Sequence, residues 1–122
     1  MKDSVREFIG RQSQRLDLDL KKQGPVTIIH CRGAFSLVNH NYLDDLVGLI
    51  HTAEGKRIVI DLQEVQHIDS TGLGTLATAF KDSRSRSVEL VLVPSSEVRT
   101  AITAVCLDKV FQLADNVEAA TA

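Results

Sequence analysis

The chain has 122 residues, enough for one domain with a hydrophobic core, and its composition is that of an ordinary globular protein. Hydrophobic residues make up 43% and charged residues 25%, and a formal net charge of -2 gives no electrostatic case for binding nucleic acid. No apolar run approaches the roughly 18 residues that a membrane-spanning helix needs, so we expect a cytoplasmic protein without direct membrane insertion.

The N-terminal part of the chain predicts a hairpin. Residues 1–15 are expected to form a tail or a short helix, and residues 16–122 the domain itself. Residues 16–20 alternate strictly between apolar and charged, as in a half-buried strand. Residues 23–25 supply turn chemistry before the β-branched run 26–31, so the two strands should pair antiparallel.

The middle of the chain predicts two helices around a buried strand. The first helix is expected to begin near Ser36 or Asn39 and to stop near Gly55. Residues 57–62 form a nearly continuous apolar run, as in a strand covered on both faces. The second helix is expected to end in the polar connector 81–87. The apolar positions at helical spacing are Leu43, Leu46, Val47 and Ile50 in the first helix and Leu73, Leu76, Ala77 and Phe80 in the second.

The C-terminal third predicts two more strands and two more helices. Residues 88–93 form a buried strand, and Ser95 or Ser96 can cap a third helix. Residues 111–115 predict a last short strand, and Asn116 can cap a final helix. The third helix is expected to place Val98, Ile102 and Val105 on one face.

This order of elements predicts an α/β fold. We expect a mostly parallel sheet of four or five strands with an antiparallel first edge strand, flanked by helices. In such sheets, sites form at the carboxyl ends of parallel strands and at the helix starts that follow them. Residues 63–74, QEVQHIDSTGLG, join a buried strand to its helix. They therefore occupy the place where a site is expected.

Two glycines in the first turn of a predicted helix are the unusual feature of this segment. Glycine is about 1 kcal/mol worse than alanine inside a helix, so Gly72 and Gly74 should serve something else. Asp69, Ser70 and Thr71 can cap the helix, but capping gains nothing from glycines behind the cap. We expect the glycines to bare the backbone for another chain. A hydroxyl there would be accessible to a modifying enzyme, and a phosphate on it would meet unpaired N–H groups at the positive end of the helix dipole.

Enzymatic interpretations of the same segment are weaker. Residues 72–77 match the dinucleotide pattern G-x-G-x-x-G/A, but the connector before them is too long for the tight turn of that motif. Ser70 has no marked base and acid to make it a nucleophile, since His67 lies only three residues away. The histidines show no metal-ligand spacing, so neither a metal nor a cofactor is expected. Cys31 and Cys106 are isolated within apolar patterns, which predicts buried thiols.

The segment IVIDLQEVQHIDSTGLGTL resembles the signature of STAS domains, particularly of bacterial anti-sigma-factor antagonists. That signature is an apolar strand ending in aspartate or asparagine and leucine, then a connector, then D-S-S/T-G-L-G. Residues 58–62 match the strand, and residues 69–74 match the core motif without a gap. The resemblance implies a STAS-like fold and a switch protein, not an enzyme.

In that family the first serine of the motif is phosphorylated by a partner serine kinase that is also the anti-sigma factor. The unphosphorylated antagonist binds this kinase and so releases the sigma factor, and a PP2C-type phosphatase resets the cycle. The resemblance implies that Ser70 is the phosphate acceptor here, while ATP and magnesium belong to the kinase. The partner-binding surface it implies around Ser70 consists of Asp69, Thr71, Gly72, Leu73 and Gly74.

One departure from the family pattern bears on the partner. Many antagonists carry G-E-L-D after the second strand, near the phosphorylation loop, where this chain has Gly33, Ala34, Phe35 and Ser36. The glycine is kept, but both acidic positions are lost. A second function therefore stays open, in which the chain is a STAS scaffold subunit of a signalling complex or of a lipid or ABC transporter and binds constitutively.

Overall fold

A computed structural model describes residues 15–122, in which five strands form one sheet in the order β1-β2-β3-β4-β5. The strands are β1 (Asp17–Gln23), β2 (Val26–Phe35), β3 (Arg57–Ile68), β4 (Glu89–Pro94) and β5 (Gln112–Leu113). The helices are α1 (His40–Thr52), α2 (Ser70–Ser85), α3 (Ser96–Ala104) and α4 (Val117–Thr121). β1 pairs antiparallel with β2, and every other neighbouring pair is parallel.

The predicted fold class is confirmed. The tail predicted for residues 1–15 lies outside the described residues, except for Arg15.

The main core lies between the sheet and helices α1, α2 and α3. Strand residues that point to this face pack against apolar positions spaced three or four apart on the helices. Burying each such side chain contributes about 1.5–3 kcal/mol relative to leaving it in water. A smaller cluster on the opposite face is completed by Ala120 of α4. Among residues 15–122, none of the helices combines the length and apolar content needed to cross a bilayer. Fully buried members of the main core include Ile29, Leu46, Ile60, Leu76, Leu92 and Ile102.

The polar end of α2 is helical, so the connector predicted there is wrong. Ser83 is only 1% exposed, and its hydroxyl donates to the carbonyl of Phe80 at 3.0 Å. Asp82 lies 2.7 Å from Nδ1 of His51 in α1 and accepts from Nε of Arg86 at 3.1 Å. The contact between Asp82 and His51 of α1, together with the two local bonds, holds the last turn in place, although its composition is typical of a loop.

Helices α1, α3 and α4 begin directly after Asn39, Ser95 and Asn116, as predicted, but only Ser95 and Asn116 cap the helix with their side chains. The hydroxyl of Ser95 accepts from the N–H of Val98, and the amide oxygen of Asn116 accepts from the N–H of Ala119. Asn39 directly precedes α1, but its side chain makes no cap there and instead donates to the carbonyl of Ala34 at 2.8 Å. That bond ties the start of α1 to the end of β2.

The two cysteines differ in exposure. Cys31 in β2 is fully buried, as predicted, whereas Cys106 is exposed and the prediction for it is wrong. Cys106 follows α3 in a left-handed turn conformation with φ of 61°, and the neighbouring Val105 is also 52% exposed. The apolar spacing continues past the point where α3 ends, which explains the error. Burial and the negative charge of Asp61 raise the pKa of the Cys31 thiol above its usual value.

We therefore predict that a thiol-specific reagent modifies one cysteine of the native protein rapidly and the other only on unfolding. Cys106 should react within the first phase, because its thiol is exposed. Cys31 should react at the rate of unfolding in added denaturant. Mass mapping of the modified peptides checks this, with Cys106→Ser as the control. Rapid native modification of Cys106→Ser would contradict the buried position of Cys31.

Candidate functional site

The candidate site lies at the carboxyl ends of β2 and β3, where α2 begins. Both strands are longer than predicted because they pair beyond their apolar segments, with Ala34 opposite His67 and Phe35 opposite Ile68. The N–H of Asp69 then donates to the carbonyl of Phe35 at 3.1 Å. This pairing brings the turn after β2 beside the first turn of α2. A groove of about 760 Å³ runs along this edge, and its lining includes Arg32, Leu37, Val38, Glu64, His67 and Asp69.

The carboxylate of Asp69 joins the two segments. Its Oδ1 accepts from the N–H of Gly72 and its Oδ2 from the N–H of Leu37, both at 3.0 Å. Burial on its own would raise the pKa of Asp69, but these N–H donors, that of Thr71 and the charge of His67 bring it below the usual 3.8. Asp69 is therefore an ionised helix cap, and its two oxygens are already used within the chain.

The first turn of α2 presents Ser70 to solvent. Ser70 is the first residue of the helix and is exposed, whereas Thr71 is half-buried. Leu73 is also half-buried, and Gly74 is exposed. Ser70 is thus the more accessible of the two motif hydroxyls, and it lies at the positive end of a 16-residue helix.

Gly72 has a different role from the predicted one. It is buried, and a Cβ atom placed there would lie 2.1 Å from the carbonyl oxygen of Phe35 and 2.9 Å from Cγ1 of Ile68. The glycine therefore permits α2 to approach the ends of β2 and β3 within the same chain. Its assignment to the partner-binding surface is wrong. A Cβ on Gly74, by contrast, would meet no atom within 4 Å.

Alanine substitutions of the two glycines should have opposite effects on stability. Gly72→Ala should lower the free energy of unfolding by about 1–3 kcal/mol, since the added methyl group would overlap backbone. Gly74→Ala should raise it by about 0.5–1 kcal/mol, because alanine is the better helix former and the site is open. Urea unfolding of both variants measures this. Equal effects would contradict the packing described at Gly72.

A second cluster, missed by the sequence analysis, lies on β2 and β3 next to the groove. Nδ1 of His30 is 2.7 Å from Oδ2 of Asp61, and Nε2 of His30 is 2.5 Å from Oε2 of Glu64. Nε of Arg32 donates to the same Glu64 oxygen at 3.3 Å. Asp61 is only 6% exposed and also accepts from the N–H of Gln63. The two members on β2 lie over thirty residues in sequence from the two on β3, and the parallel register of the strands brings them together.

The charge state of His30 depends on this cluster. Burial would lower the pKa of His30, but hydrogen bonds to Asp61 and Glu64 and their negative charges raise it above the usual 6.5. The hydrogen bond from His30 and the charge of Arg32 lower the pKa of Glu64. A protonated imidazole can donate from both nitrogens at once, which the two carboxylates require. Within residues 15–122, no group of three or more histidine, cysteine, aspartate or glutamate side chains is placed to hold a metal ion.

We predict that His30 titrates above pH 6.5 in the folded protein. Because its folded pKa is raised, its contribution to stability is complete below 6.5 and is lost as the pH rises through the folded pKa. An NMR titration of the imidazole protons gives the pKa, and denaturant unfolding at a series of pH values between about 6 and 9 follows the loss. His30→Gln should remove this part of the pH dependence. A His30 pKa below 6.5 would contradict the ion pairs.

Comparison with known proteins adds to this geometry. Residues 17–120 match the family model of the STAS domain. The anti-sigma-B factor antagonists of Listeria monocytogenes and Listeria innocua are each 52% identical to the chain over 44 residues. That segment is 36% of this chain and 39% of each relative, so the similarity spans less than half the length of either protein.

Solved structures share the fold at low sequence identity. An anti-sigma factor antagonist from Mycobacterium paratuberculosis has a TM-score of 0.76 and 22% identity, covering 88% of this chain and 92% of that one. The Bacillus cell fate determinant SpoIIAA in its phosphorylated form has a TM-score of 0.62 and 16% identity, covering 84% and 96%. A sulfate transporter family protein from Wolinella succinogenes has a TM-score of 0.68 and 20% identity, covering 82% and 84%. At these identities the likeness concerns the fold alone.

Proposed function

The chain belongs to the STAS domain family, and on this basis we propose that it is a phosphorylation-switched anti-sigma factor antagonist. It binds an anti-sigma factor that is also a serine kinase, and phosphorylation of Ser70 ends that binding. The observation that carries the proposal is the exposed Ser70 hydroxyl, held at the start of a long helix within the D-S-T-G-L-G motif. The partial similarity to two anti-sigma-B factor antagonists supports it.

The switch follows from where the added charge would lie. A phosphate on Ser70 carries about 1.5–2 negative charges at neutral pH. In the free chain, the positive end of the helix dipole offsets repulsion from the ionised Asp69. In a complex, the same phosphate must lose its water, and burying an unpaired charge costs several kcal/mol. The interface should therefore be affected more than the fold.

The surface that remains for the partner is smaller than the motif implies. Ser70 and Gly74 are exposed, and Thr71 and Leu73 are half-buried, so these four can contact a partner at the first turn of α2. Asp69 contributes to this surface indirectly, because it accepts hydrogen bonds from the N–H groups of Leu37 in the neighbouring turn and Gly72 in the helix start. A PP2C-type phosphatase would reset the switch, and the bound nucleotide and magnesium would belong to the kinase.

A second candidate function is a constitutive scaffold. The fold neighbour from a sulfate transporter family protein and the small residues at both lost acidic positions, Ala34 and Ser36, favour it. In this case the chain would bind its partner in a signalling complex or transporter, and phosphorylation would not alter the affinity.

We predict that phosphate from ATP is transferred to Ser70 by the cognate kinase. Peptide mapping after incubation with the kinase and ATP should place the phosphate on Ser70, because its hydroxyl is the more accessible. Thr71→Ala should still be phosphorylated, and Ser70→Ala should not. Incorporation that survives in Ser70→Ala would overturn the assignment.

The phosphorylated protein should bind the kinase about a hundredfold more weakly, which corresponds to about 3 kcal/mol. Its melting temperature should change by only a few degrees, because the helix start tolerates the charge. Calorimetric titration and thermal melting of the modified and unmodified proteins measure both quantities. A large drop in melting temperature would mean that the phosphate acts by unfolding, and an unchanged affinity would favour the scaffold.

A further inference from the structure

The turn after β2 exposes two aliphatic side chains beside the proposed phosphorylation site. Leu37 is 63% exposed and Val38 is 77% exposed, the highest values among the large hydrophobic residues of the described chain. They are adjacent in a single 3-10 turn and both line the groove. Exposed aliphatic residues scattered singly are ordinary, whereas these two are adjacent and add apolar surface at the rim of a groove.

Hydrogen bonds to Asp69, Ala34 and Ser36 hold the turn that carries this pair. The N–H of Leu37 donates to Asp69, and the N–H of Asn39 donates to the carbonyl of Ser36 at 2.9 Å. The Asn39 side chain donates to the carbonyl of Ala34, and both Ser36 and Asn39 are only 5% exposed. The backbone that carries the two aliphatic side chains is therefore held in one conformation, which lowers the entropy cost of ordering this turn on binding.

The carboxylates that line the groove are already paired within the chain. Glu64 contacts His30 and Arg32, and Asp69 accepts from two backbone N–H groups. A cationic partner would have to compete with these internal donors, so it would gain little from either carboxylate. Apolar contact with the exposed pair has no such competitor. The charge distribution of the groove thus favours a partner with an apolar surface over a basic one.

We infer that Leu37 and Val38 are the anchor by which this chain binds its protein partner, and that they enter an apolar pocket of that partner. The inference deepens the proposed function and rests on it. The carboxylate of Asp69 accepts from the N–H of Leu37, and Asp69 directly precedes Ser70, so the anchor lies near the phosphate acceptor. The two positions that are acidic in many antagonists, Ala34 and Ser36, are buried here and offer the partner no charge.

The test uses the kinase that phosphorylates Ser70, titrated with the unphosphorylated chain of 122 residues. Leu37→Ser and Val38→Ser should each weaken binding about tenfold or more, because each removes a side chain that becomes buried in the complex. Val105→Ser is the matched control, since Val105 is similarly exposed but lies after α3, outside the groove. It should bind like the wild type. Binding by the wild type should change less than threefold between about 50 and 500 mM NaCl, because an apolar contact is not screened.

The melting temperatures of the variants should match the wild type, because both side chains are exposed in the free chain. If Leu37→Ser is unstable, Val38→Thr keeps the shape of the side chain and should still weaken binding. Failure of the wild-type chain to bind would remove the proposed function and the inference together. If the wild type binds and both Ser variants bind equally well, the anchor inference alone is overturned. The same holds if wild-type binding falls steeply with salt. A wild-type dimer in sedimentation that Leu37→Ser dissociates would assign the pair to a second copy and overturn it as well.

Discussion

The first turn of α2 lies directly against the backbone of Phe35, with no space for even one methyl group between them. This contact requires a glycine at position 72, and it requires β2 and β3 to pair as far as Phe35 and Ile68. Given that contact, Asp69 can reach the N–H groups of both Gly72 and Leu37 with one carboxylate. The groove lies beside this contact, with Asp69 in its lining, and Ser70 is exposed at the start of the same helix.

The general architecture could be predicted from the sequence because it depends on local periodicity. The β-branched runs in β2, β3 and β4 and the helical spacing in α1 and α2 each fixed an element type, and chain order then favoured parallel pairing. Capping by Ser95 and Asn116 is also local, so it was predicted correctly. The place of the candidate site is a prediction from the general position of sites in parallel sheets.

The remaining features depend on contacts between distant residues. Residues 63–68, most of which are polar, form strand beside β2, and the end of α2 is helical where His51 of α1 pairs with Asp82. The His30 cluster joins residues on separate strands through register, which no spacing rule within one segment can show. A glycine that permits close approach was identified at position 72, but the sequence could not tell whether the approaching backbone belonged to the same chain or another.

Asp69 accepts a hydrogen bond on each of its two carboxylate oxygens, and this restricts which residues can replace it. Asparagine would keep one acceptor and turn an NH₂ group toward an amide N–H, and glutamate would place its oxygens one methylene further out. Gly72 is restricted as strictly, by the backbone of Phe35. Two of the six residues of the D-S-T-G-L-G motif thus have structural roles within the fold. In this chain, an aspartate at position 69 and a glycine at position 72 are therefore explained by the contact between the helix start and the strand end, independently of any partner.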